Sequence, residues 1–133
     1  MTASFDPLPS DKDVYRAASP KTWIDVDAGR LSPAAFKMKK ADVEAGNGLS
    51  VIISGKCPNP EDTGRKGVRA VGALRVGGIL NLELGLEVIQ DADYHAGIHG
   101  LPFTEDETDL KTLQQMDDCA IALADISTIC SSV

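Results

Sequence analysis

Residues 93–102, DYHAGIHGLP, contain both histidines of the chain, and their reading decides whether its second half is helical or extended. On a helix, His95 and His99 would share a face at i and i+4 and offer an H-x-x-x-H pair to a metal. The metalloprotease form of that pair has Glu directly after the first histidine, and here the residue is Ala96. Gly97, Gly100 and Pro102 all disfavour a helix. As a strand, the segment carries the two imidazoles on one face about 13 Å apart, too far for one metal to bridge. The extended reading is adopted here. It leaves His95 two roles: a member of a site completed by other elements, with Asp91 or Asp93 nearby, or a purely structural histidine.

Outward from this segment, LEVIQ (86–90) reads as a neighbouring strand, with DAD (91–93) as the turn between them. LSVIIS (49–54) is the clearest strand, short, β-branched and bounded by glycine on both sides. DVYRAAS (13–19) alternates and is stopped by Pro20, and KTWIDVDAGR (21–30) alternates into a turn. Three segments read as helical. Ser32 and Pro33 form an N-cap and first-turn pair for a short helix reaching Ala45. VRAVGALRVGGILNL (68–82) repeats apolar residues at Val68, Val71, Leu74 and Leu82, although each of Gly72, Gly77 and Gly78 costs roughly 1 kcal/mol against alanine in a helix. The longest helix comes last: Thr104 and Glu107 form a capping box, and Leu110, Leu113, Met116, Ala120 and Leu123 mark one face to about residue 126. The expected fold is α+β: a small, mainly antiparallel sheet with two principal helices packed on it. Residues 1–12, broken by Pro7 and Pro9, read as a flexible arm ahead of one domain over 13–133.

Composition narrows the function classes. A chain of 133 residues fits one ordinary domain, and a net charge of −7 argues against sequence-independent nucleic-acid binding. No apolar run approaches the roughly 20 residues needed to span a bilayer, and the N-terminus lacks the apolar region of a signal peptide. Cys57, Cys119 and Cys130 are odd in number and widely spaced, which predicts neither a disulfide framework nor a structural zinc site and favours a reducing cytoplasm. No metal or cofactor is expected, and self-association is left open.

Candidate chemistry is sparse. TGRKGVR (63–69) sets Arg65, Lys66 and Arg69 among glycines just before the helix expected at 68–82, a pattern suited to phosphate at a helix start or else to a solvated basic loop. Neither G-x-x-x-x-G-K-[ST] nor G-x-G-x-x-G is present, and no serine sits in G-x-S-x-G. Asp25 and Asp27 would lie about 6.6 Å apart on a strand face, close enough to act as a pair and equally consistent with an exposed edge.

Taken together, VYRAAS, LSPAAF, GLSV and YHAGIHG resemble a family of small bacterial proteins of unknown function. The shared pattern is an early arginine (Arg16), S-x-A-F with one extra alanine in Ser32–Phe36, L-S-V (Leu49–Val51), and H-A-x-[IV]-x-G (His95–Gly100). The resemblance covers roughly residues 15–100, aligns His95 and leaves His99 at a variable position. It implies a bacterial single-domain protein and no particular reaction. The order Arg16, Ser50, Glu87 is also similar to that of ADP-ribosyltransferase-like folds, an analogy of fold only. Two functions follow. The first is a non-catalytic binding or interaction module with an unknown protein or small-molecule partner. The second is a small enzyme acting on a nucleotide or other phosphate-bearing ligand through Arg16, Ser50 and His95.

Overall fold

The computed structural model describes residues 7–46 and 48–133. Six short runs of β-branched and small residues form one sheet: β1 (Asp13–Ala18), β4 (Leu49–Ile53), β5 (Ala70–Arg75), β6 (Glu87–Ala92), β7 (His95–His99) and β8 (Thr128–Ser132). Their order is β6-β7-β4-β1-β5-β8, and each neighbouring pair is antiparallel. β2 (Ile24–Asp25) and β3 (Arg30–Leu31) make a separate two-stranded ribbon. Asp25 belongs to the turn of that ribbon, where its carboxylate accepts from the backbone N–H of Ala28 at 3.1 Å. The fold class is α+β, as expected, with one long helix in place of two. That helix, α3, spans Leu110–Ile126, whereas α1 (Lys40–Ala45) and α2 (Val76–Leu80) have six and five residues.

The segment 68–82 departs most from its expected form. Residues 70–75 are a central strand between β1 and β8, and only the following five residues turn into helix. Val68, Val71 and Leu74 recur every three positions, yet Val71 and Leu74 lie on opposite faces of β5, in two different apolar clusters. A strand buried on both faces reads as a nearly continuous apolar run, and its chance spacing imitates a helix. Gly72 is needed for packing: a Cβ there would lie 2.6 Å from Cγ of fully buried Leu31.

The expected 32–45 helix is interrupted. Pro33–Phe36 forms a 3-10 turn that buries Ala35 and Phe36, and α1 starts afresh at Lys40. α3 begins at Leu110, not at the Thr104 capping box. Asp109 is its N-cap, accepting from the Thr112 backbone N–H at 3.1 Å, while Thr104 accepts from Asp106 in an isolated turn. The expected arm is docked over residues 7–12, where Leu8 N–H donates to Val88 O and Gly77 N–H donates to Ser10 O. The remainder of that arm, 1–6, lies outside the described residues.

The two faces of the sheet are covered differently. One packs against α3 and the Pro33–Phe36 turn through Val14, Leu31, Phe36, Leu49, Val51, Ile98 and Leu123, all at most 1 % exposed. The other carries Tyr15, Ala17 and Val71, joined by Val68, Ile52, Cys57 and Ala73. The segment 54–69, which includes a 3-10 turn at Pro60–Asp62, lies on it. A disulfide between Cys57 and Cys130 fastens that segment to β8, where the cysteine spacing predicted no disulfide framework. The spacing of 73 residues hid the pairing, because β8 brings the last strand beside β5 and Cys130 beside the loop. Cys119 on α3 remains a buried free thiol. No described helix is long and apolar enough to cross a membrane.

Candidate functional site

Strand alternation places Ser50 and Ile52 of β4, Tyr15 and Ala17 of β1, and His95 of β7 on the second face, because His95 pairs with Ile52 and Ile52 with Tyr15. Ser50 pairs with Gly97, so that row carries little side-chain bulk. A cavity of about 380 Å³ opens over this low floor, and the segment 54–69 supplies its far wall through Pro58, Asp62, Thr63 and Arg65. Arg16, Ser50 and His95 all border it, and so does Arg65. The other two residues of the basic motif go elsewhere. Arg69 borders a separate cavity of about 620 Å³ with Lys21, Ile24 and Ile129, and Lys66 borders neither. The residues after Gly67 enter β5, so no helix start stands behind the basic motif and the expected helix-dipole site is absent. Glu87 pairs with His99 at the other end of β7 from His95 and does not border the cavity.

His95 is oriented by a residue for which the sequence offered two candidates. Its Nδ1 lies 2.5 Å from Oδ1 of Asp91, while Asp93 borders a neighbouring cleft with Asp11 and Asp13. The pairing shifts between Gln90 and Ala92, a bulge that sets Asp91 beside the imidazole. Bulges of this kind re-aim side chains. A carboxylate can only accept, so Nδ1 is the donor of this pair and Nε2 is the ring nitrogen that Asp91 leaves unengaged.

Arg16 is the one buried charged residue among those described, at 6 % exposure. Its side chain leaves β1 toward the helical face, where Nε donates to Ala35 O at 2.9 Å and Trp23 lies with its ring centroid 5.0 Å from Cζ. Nη1 donates to Ser50 O at 2.8 Å. The β1–β4 ladder ends at Tyr15↔Ile52, and beyond it the guanidinium takes the carbonyl that the ladder leaves. Arg16 therefore fills the split between two strands, and its residue borders the cavity beside Ser50. None of the ion pairs among the described residues involves it. Burial pushes its pKa down to about 10, and the Arg65 charge adds to this, with Asp42 opposing. At neutral pH it remains a cation. No family model, curated protein or solved structure matches the chain.

Proposed function

We propose that the chain is a binding module that takes a small phosphate-bearing molecule into the cavity bordered by Arg16, Ser50, Arg65 and His95. One observation carries the reading: Arg16, buried and in none of the ion pairs among the described residues, borders the same cavity as Arg65. A buried charge is normally paired. In a chain of net charge −7, a concave site carrying two unneutralised arginines suits an anion. Ser50, Thr63 and Tyr94 add hydroxyl groups along the wall. Bacterial origin and possible self-association belong to the same proposal, whereas the Cys57–Cys130 disulfide removes the cysteine argument for a cytoplasmic location.

Calorimetric titration with inorganic pyrophosphate and with adenosine nucleotides tests it. Binding is expected, weakened about tenfold in Arg65→Ala, equivalent to roughly 1.4 kcal/mol. No heat of binding and no rise in melting temperature at millimolar pyrophosphate would overturn it, because a ligand of the folded state must stabilise it. A second reading, a small enzyme on the same ligand, is favoured by the Asp91–His95 pair, which fits a general base. It requires nucleotide turnover that both Asp91→Asn and His95→Ala abolish.

A further inference from the structure

The segment that walls the cavity is held to the sheet by very few bonds. Among the described residues, the hydrogen bonds made by residues 55–67 stay within the segment, as from Thr63 to Pro60 O and from Asn59 to Asp62. A single one leaves it: Ser131 Oγ donates to Pro58 O at 2.7 Å. The other tether is the Cys57–Cys130 disulfide, one residue away on each strand of the contact. Both tethers end on β8, and the cavity-wall residues Pro58, Asp62, Thr63 and Arg65 follow Cys57 directly.

We infer that this disulfide is a redox latch on the cavity: its reduction by a cellular thiol releases residues 55–67 and lowers affinity for the phosphate-bearing ligand. The effect on affinity rests on the binding function proposed above; the release of the segment does not.

The exchange is available on structural grounds. Cys130 is exposed on edge strand β8, whereas Cys57 is half-buried against the second apolar cluster. A low-molecular-weight thiolate attacks Sγ of Cys130, the protein S–S bond breaks, and Cys57 leaves as a thiolate that takes up a proton. A second thiol then attacks the mixed disulfide and frees Cys130 as a thiol. Two thiols are oxidised to one disulfide, and two electrons and two protons pass to the protein. Cys119 lies across the sheet on α3, and burial, with the Asp118 charge, raises its pKa, so it stays a thiol outside the exchange. Once reduced, residues 55–67 keep one external hydrogen bond and the packing of Cys57 and Pro60, while buried Val68 and the Arg69 backbone bonds to Ala18 and Val133 still anchor the end of the segment. Regions with so few anchors open locally while the rest of the fold stands.

The test uses the full chain, oxidised or treated with dithiothreitol, together with Cys57→Ser/Cys130→Ser. Limited trypsinolysis reads the segment directly, because Lys56, Arg65 and Lys66 lie in it and buried Arg16 reports global unfolding. Reduction is expected to speed cleavage at the three segment sites about tenfold or more while Arg16 stays intact, as for local opening. Pyrophosphate affinity should fall about tenfold or more and return on reoxidation, and the double variant should bind as the reduced chain does. Equal cleavage in both states overturns the latch. Cleavage at Arg16 in step with the segment overturns it too, since reduction would then unfold the whole chain. Undiminished pyrophosphate binding by the reduced chain overturns its regulatory part. If the oxidised chain takes no pyrophosphate while segment cleavage still accelerates, the proposed binding function falls and the latch stands.

Discussion

Arg16 joins three elements with one side chain: it closes the split between β1 and β4, holds the Ala35 carbonyl of the 3-10 turn, and packs beside Trp23. Removing it strands two carbonyl oxygens and leaves a void. Arg16→Ala should therefore cost about 2–4 kcal/mol in urea unfolding. Arg16→Met keeps the volume and loses only the bonds, so its cost should be about half as large. A change under about 0.5 kcal/mol for Arg16→Ala would show the guanidinium to be a bystander. The pH dependence has a defined sign. The folded pKa, near 10, lies below the ordinary guanidinium value, so the unfolded chain binds more protons only between the two. The stability difference between wild type and Arg16→Met should stay flat from pH 6 to 9. Above about pH 10 it should move in favour of wild type, as deprotonation relieves the cost of burying the charge. Tyr15, whose pKa burial raises, acts in the opposite sense but is present in both chains.

At the level of elements, β5 and α3 mark where the sequence was legible and where it was not. Strands with clean boundaries, such as 49–53 and 95–99, follow from β-branched residues and from glycine and proline punctuation. β5 does not, because central position in the sheet buries both its faces and erases the period of two. Gly72→Ala separates the two structures of this segment. In a helix it would stabilise by up to about 1 kcal/mol, whereas against Leu31 it should destabilise by about 1–3 kcal/mol. The start of α3 makes a similar contrast. S/T-x-x-E chemistry at Thr104–Glu107 met the local rule, but the chain stays irregular until Asp109. Asp109→Ala should lose about 1 kcal/mol, while Thr104→Ala, in an exposed turn, should stay within about 0.5 kcal/mol by the same denaturation assay. Of the site, Arg16, Ser50 and His95 could be singled out by residue type and motif. Their common cavity, the bulge that selects Asp91, and the separation of Arg65 from Arg69 depend on strand register and on the course of the loop, which local pattern does not carry.

On the scale of the whole molecule, the two faces of the sheet have unequal support. The helical face has α3, the Pro33–Phe36 turn and a continuous aliphatic core, none of which depends on the segment 54–69. The second face has a smaller cluster and a covalent staple. A disulfide spanning 73 residues restricts the unfolded chain far more than the folded one, and chain-entropy arguments place its contribution at roughly 4 kcal/mol. Reduction should lower the unfolding free energy by about that amount, and it should also steepen the urea dependence, because the opened denatured chain exposes more surface. A drop in stability with an unchanged slope would mean that the bond acts through native contacts instead. The size of the drop also bounds the latch. Domains of this length hold about 5–15 kcal/mol, so a reduced chain retains a folded majority only if its helical-face core supplies more than the staple does. The near-complete burial of Leu31, Phe36, Leu49, Ile98 and Leu123 on that face is the reason to expect that it does, and a single cooperative urea transition in the reduced protein, followed by the circular dichroism of α3, is the measurement that checks it.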